Sequence, residues 1–170
     1  LLGYLSPRLN SVAESLTGDY VEEANFIKLY FPEGEIDFVV SGFLTPEPTV
    51  GEWIAGRRVR VEMSAEIIAK KIWHRGAAFT ARDLFDFALV AEREPRAIAV
   101  VRELLDARKP VLLQRLADRD QALREEFDAL DVLDYRPGFD ECVAALRAAL
   151  AQAASPHRAE QMRAAYFVPR

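Results

Sequence analysis

Three places in the chain carry residue types and spacings that suit chemistry better than packing. Asp37 interrupts the apolar run from Ile36 to Val40, where a carboxylate is costly unless it is paired, exposed or bound to a metal. Lys71 follows Ile67 by four residues and Ile68 by three, so it projects from the edge of an apolar helical stripe. Arg82, Asp83 and Asp86 cluster around the first turn of the next helix. Each has a plain reading. Asp37 fits an exposed strand face as well as it fits a metal. A lysine stem covers apolar surface while its ammonium stays in water. Asp83 suits a helix amino terminus through the dipole, and Asp86 pairs with Arg82 at a worth well under about 1 kcal/mol. Taken with the basic side chains Arg58, Arg60 and Arg75, they suit a polyphosphate held by metal ions and cations.

These residues need elements to position them. Ser64 reads as the N-cap of a helix through Ile67, Ile68 and Ile72, which Gly76 ends. Thr80 caps the next, whose stripe is Leu84, Phe85, Ala88 and Leu89. Upstream, Ala24 to Phe31 reads as a strand, Pro32-Glu33-Gly34 as a turn and Glu35 to Ser41 as a second strand. In that hairpin Asp37 and Val39 face away from Ile36 and Phe38. Gly42 to Ile54 reads as a loop with a helical turn around Trp53. Arg57 to Met63 alternates as a third strand, with Val59 and Val61 toward the core and Arg58, Arg60 and Glu62 toward water or a ligand.

Before the hairpin, Leu1 to Leu5 reads as the end of an element. Ser6-Pro7 then opens a helix with the stripe Leu9, Val12 and Leu16, closed at Gly18. From Pro95 onward the period is helical. Ile98, Val101 and Leu105 mark one helix, and Leu112, Leu113 and Leu116 begin another through Leu123 and Phe127. After Pro137-Gly138 come Phe139, Val143, Leu146 and Leu150, with Ser155-Pro156 capping a last helix. Arg115, Asp118, Arg119 and Asp120 read as a solvated face. The expected class is α+β, about three strands followed by a C-terminal helical bundle. The expected division is residues 1–92 and 93–170.

Composition narrows the functional classes. With 170 residues, 51% hydrophobic and 29% charged, the chain suits one compact domain, or a small domain with an appendage. A net charge of −5 does not suggest a general nucleic-acid binder. The single cysteine, Cys142, rules out an internal disulfide and reads as a buried thiol in a reducing, cytoplasmic setting. No apolar run of about twenty residues suggests a membrane span, and no leader signals secretion. P-loop, dinucleotide and G-x-S-x-G fingerprints are missing. His74 and His157 lack zinc-ligand spacing, and His74 suits a helix end. Trp53 and Trp73 read as core or groove-wall residues.

The segments FIKLYFPEGEIDFVV (Phe26 to Val40), VEMSAEIIAKKIWHR (Val61 to Arg75) and TARDLFDFAL (Thr80 to Leu89) resemble the AbiEii/AbiGii toxin family of nucleotidyltransferase-like proteins. The likeness covers about Ala24 to Val90. Its most specific parts are E-x4-K, here Glu66 to Lys71, and R-D-x-x-D, here Arg82 to Asp86. Members are bacterial or archaeal, and many are toxins of two-gene toxin–antitoxin or phage-defence systems.

The resemblance implies a polymerase-β-like nucleotidyltransferase core, with the sheet here a remnant of it and a helical C-terminal region following. Asp37 matches the later-strand carboxylate, expected to be catalytic as a ligand of one of two magnesium ions. Lys71 matches the lysine expected to contact nucleotide phosphates, with Arg75, Arg82 and Asp83 beside it. Asp86 matches the aspartate that the last motif needs for activity. The activity implied is nucleotide transfer from a nucleoside triphosphate to RNA, notably tRNA, with a cognate antitoxin protein as a further partner. The family's first motif, a Gly-Ser turn followed by D-x-D, has no counterpart here and is expected upstream of Leu1. The alternative is a non-catalytic, degenerate module of the same fold that binds an antitoxin or an RNA.

Overall fold

The computed structural model describes residues 2–152, so the helix expected after Ser155-Pro156, and His157, lie outside the described residues. The class is α+β, with five strands in two small sheets and a helical C-terminal region. The chain forms two compact units, Leu1–Gly42 and Phe43–Arg170.

The first unit holds α1 (Leu2–Leu5), α2 (Ser11–Leu16), β1 (Tyr20–Glu22), β2 (Phe26–Phe31) and β3 (Gly34–Val39). The strands are antiparallel in the order β1-β2-β3. Ile27 and Leu29 are buried on one face of β2, with Lys28 between them on the other. The expected hairpin is present, and Lys28 stands opposite Asp37.

Two expectations fail in this unit. The helix expected from Ser6-Pro7 starts instead at Ser11, because the Asn10 side chain accepts the Val12 N–H at 2.9 Å and caps it. Ser6 is buried and donates to Glu22 at 2.6 Å, and Leu9, Val12 and Leu16 are exposed rather than a core stripe. Tyr20 to Glu22, just past the stop at Gly18, form β1, a strand beyond the three expected.

The second unit opens with β4 (Thr49–Ile54) and β5 (Arg57–Glu62), an antiparallel two-stranded ribbon. The turn between them is Ala55-Gly56, with φ at 51° and 76°. Two left-handed residues make a tight turn that matches the twist of the strands. The expected loop and helical turn around Trp53 are therefore a strand, and Trp53 is 74% exposed. Val59 is exposed and Val61 only half-buried, so this ribbon does not bury its valines as expected.

The helices follow as α3 (Ser64–Arg75), α4 (Ala81–Arg93), α5 (Pro95–Val100), α6 (Arg102–Asp118), α7 (Asp120–Asp128) and α8 (Phe139–Ala151). One apolar core runs through them, including Ile68 and Ile72 of α3, Leu84 and Phe87 of α4, and Leu105 of α6. Leu146 and Leu150 of α8 complete it, and Cys142 is buried there as expected.

Met63 rather than Ser64 precedes α3, and the Ser64 hydroxyl donates to Glu94 at 2.8 Å. α6 continues without a break through Pro110. Leu104, Leu105, Leu112 and Leu116 lie on one buried face, and their burial outweighs the roughly 3 kcal/mol cost of the internal proline. The helix expected to run from Leu112 through Phe127 is thus divided at Arg119. Among the described residues no helix is long and apolar enough to cross a membrane.

Candidate functional site

The charged cluster between α3 and α4 is built from the ends of two helices. Lys71 and Arg75 are one helical turn apart near the end of α3, so they share a face. Arg82, Asp83 and Asp86 occupy the start of α4. Its position is fixed by Thr80, whose Oγ1 accepts the Asp83 N–H at 3.2 Å while Asp83 Oδ2 accepts the Thr80 N–H at 3.2 Å. This reciprocal cap satisfies two of the donors that a helix start leaves over.

Capping uses one oxygen of Asp83. The other, Oδ1, accepts from Lys71 Nζ at 2.8 Å and from Arg75 Nη1 at 3.1 Å. Lys71 also donates to Asp86 Oδ2 at 2.7 Å, and Arg82 Nε lies 3.3 Å from Asp86 Oδ1. The expected Arg82–Asp86 pair and the expected cap are both present. Lys71, expected to snorkel if it had no role, is instead shared between two carboxylates.

Burial grades across the cluster. Asp83 is fully buried, Lys71 and Asp86 are mostly covered, and Arg75 and Arg82 are more than half exposed. Burial alone pushes the Asp83 carboxyl up. The Lys71 hydrogen bond and charge, the Thr80 N–H and the Arg75 charge outweigh it and hold the group below its usual range. Three cations against two carboxylates leave one net positive charge. Two of the three Lys71 N–H bonds are used, so one remains for a further acceptor.

The structure gives Asp37 a different setting from the one its neighbours suggest. Its side chain is 46% exposed and lies 3.5 Å from Lys28 Nζ on the adjacent strand. Lys28 also donates to Glu35 at 2.7 Å. The Glu35 hydrogen bond, against some desolvation and with the Asp37 charge added, holds Lys28 above the usual lysine range. Asp37 is thus no buried, unpaired carboxylate. It belongs to the first unit, and the Lys71 cluster to the second. Among the described residues no group of three His, Cys, Asp or Glu side chains is placed to hold a metal. The described residues alone do not fit a magnesium pair.

Of the remaining expected residues, Arg58 and Arg60 are exposed on β5. Trp73 is half-buried against the helical core with the Arg108 guanidinium 4.4 Å from its ring centroid, as a groove-wall residue would be. His74 lies in the last turn of α3.

Glu66 was visible in the sequence only as one end of E-x4-K, with no role. It is fully buried, and its carboxylate accepts the Leu44 N–H at 3.0 Å, the Thr45 N–H at 2.9 Å and the Thr45 hydroxyl at 2.7 Å. Lys70 Nζ lies 3.6 Å away. Glu66 therefore anchors the segment leading into β4. The available signal was its place three residues before Ala69, on the face of α3 that carries Ala65, Ile68 and Ile72.

A family model described as nucleotidyl transferase AbiEii toxin, type IV TA system, matches residues 3–163. The match runs well beyond Ala24 to Val90, on both sides of it. No curated protein and no solved structure matches the chain.

Proposed function

Since the chain belongs to the AbiEii nucleotidyl transferase toxin family, we propose that it acts as the toxin of a type IV toxin–antitoxin system by nucleotide transfer to RNA. The donor is a nucleoside triphosphate and the acceptor an RNA end, tRNA foremost, in the cytoplasm of a bacterial cell. Transfer breaks the bond between the α-phosphorus and its bridging oxygen, joins the nucleoside monophosphate to an RNA hydroxyl and releases pyrophosphate. A cognate antitoxin protein is the regulatory partner, and phage defence is a setting in which such a pair works.

The supporting observation is the Lys71 ammonium, held by Asp83 and Asp86 with one N–H unspent and two half-open guanidiniums beside it. Lys71 acts as the point charge on the triphosphate, and Arg75 and Arg82 meet its outer oxygens. Asp83 and Asp86 position the lysine, and Asp86 also serves the transfer itself. Magnesium is the cofactor that this chemistry calls for.

The test is incubation of the full chain with each labelled triphosphate, total RNA and magnesium. Labelled RNA is the expected product. It should be lost in Asp86→Asn and on adding EDTA, with circular dichroism unchanged. No label from any triphosphate would reject transfer. Titration of a triphosphate against wild type and Lys71→Ala tests the phosphate contact, and equal affinities would remove it.

A second reading has one observation in its favour: Lys71 already faces two carboxylates, which reduces its pull on a phosphate. On that reading the chain is a non-catalytic module that binds an antitoxin or an RNA. RNA or antitoxin binding without label incorporation would support it.

A further inference from the structure

The β4–β5 ribbon carries a surface that packing does not explain. Trp53 stands opposite Arg58, and Gly51 opposite Arg60. Directly paired residues share a face of the ribbon, so Trp53, Arg58 and Arg60 lie together around the gap at Gly51. A Cβ at Gly51 would come within 2.9 Å of Arg58 Nε, so the glycine lets the arginine lie flat across the neighbouring strand.

Arg58 leans over Gly51 and makes no ring contact with Trp53, whose indole is 74% exposed. Neither Arg58 nor Arg60 makes a side-chain hydrogen bond or ion pair among the described residues. The acidic residue on this face, Glu62, is taken up by Lys70. A protein with a net charge of −5 thus places two unneutralised guanidiniums beside a bare aromatic ring.

We propose that this face holds unpaired nucleotides of an RNA, with Trp53 stacking on a base and Arg58 and Arg60 contacting adjacent backbone phosphates. The proposal rests on the RNA acceptor of the preceding reading and names where that RNA is gripped. Charge complementarity selects a polyanion, and the open indole selects one whose base faces are accessible. Arg58 and Arg60 are about 7 Å apart along the strand, which suits successive phosphates of an extended chain. A duplex keeps its base faces inside the stack and offers Trp53 nothing to pack on.

The experiment is fluorescence anisotropy of the full chain with a short labelled single-stranded RNA, repeated over a range of salt. Trp53→Ala should weaken binding about tenfold, and Trp53→Phe should restore most of it. The Arg58→Gln, Arg60→Gln double variant should reduce the slope of log affinity against log salt by about 1.4, from about 0.7 per phosphate contact. The same sequence as a duplex should compete poorly. All three positions are exposed, and circular dichroism should show the fold retained. Affinity and slope unchanged in both variants would overturn the proposal. So would loss of antitoxin binding with RNA affinity intact, which would give the face to a protein partner.

Label incorporation separates this proposal from the reading beneath it. Ribbon variants that lose RNA affinity, in a chain that labels no RNA, leave the surface standing and transfer rejected. Ribbon variants that label RNA at the wild-type rate and affinity leave transfer standing and the surface rejected.

Discussion

The Lys71 ammonium lies 2.8 Å from Asp83 Oδ1, which ties the end of α3 to the start of α4. The same carboxylate caps α4 through the Thr80 N–H. Helix initiation and the placement of the candidate phosphate-binding lysine are therefore one interaction. Any change at Asp83 acts on the fold and on the site together.

That coupling sets a ranking of stability. Asp83→Ala removes a fully buried carboxylate, its cap and two cationic contacts, and should cost about 3 kcal/mol. Asp86→Ala removes a partly exposed carboxylate and should cost about 1 kcal/mol or less. Urea denaturation of both variants checks the order at constant m-value. Equal costs would mean that Asp83 is not the joint between the helices.

Acid should loosen the same joint. The Asp83 carboxyl titrates below its usual 3.8 in the folded chain, so the unfolded chain binds the proton more readily as pH falls. Its contribution is complete above the unfolded value and is lost as pH drops through the folded one. Denaturation midpoints of wild type and Asp83→Asn should differ most near neutrality and draw together as pH falls below the usual 3.8. A difference that stays constant as pH is lowered past that value would show that the carboxylate is not preferentially ionised in the fold.

The two helices of this joint were legible in the sequence because their stripes, the Thr80 cap and the Arg82–Asp86 spacing are all local signals. The β4–β5 ribbon was not. Its turn is Ala55-Gly56, where Asn-Gly is the recognisable pair for two left-handed residues, and Pro46, Pro48 and Gly51 imitate a loop. Asp37 has only apolar neighbours next to it in sequence, whereas Lys28 reaches it through strand register. Tyr20 to Glu22 is too short to alternate visibly. Glu66 was missed because its partners are backbone groups some twenty residues away, and backbone groups leave no mark in composition.

Glu66 offers a local readout. Glu66→Ala leaves the Leu44 and Thr45 N–H groups without their acceptor and should cost about 2–3 kcal/mol. Hydrogen exchange should quicken at Leu44 and Thr45 while the amides of α4 stay protected. Equal loss of protection across α4 would make Glu66 a general core residue rather than an anchor for this segment.

Cys142 gives the matching prediction at alkaline pH. The thiol is fully buried in α8, and burial, with the Glu141 charge added, pushes it up to about 11 from the usual 9.0. The folded chain thus keeps the proton over a range where the unfolded chain releases it. Stability is complete below pH 9.0 and declines as pH rises toward about 11, and Cys142→Ala should flatten that decline. At pH 8 a thiol reagent should modify Cys142 only as fast as the surrounding helices open, since reaction needs both access and the thiolate. Adding urea below the unfolding midpoint should then speed modification in step with the loss of stability. Rapid modification of the folded chain, insensitive to urea, would place the thiol on the surface and contradict the packing of α8.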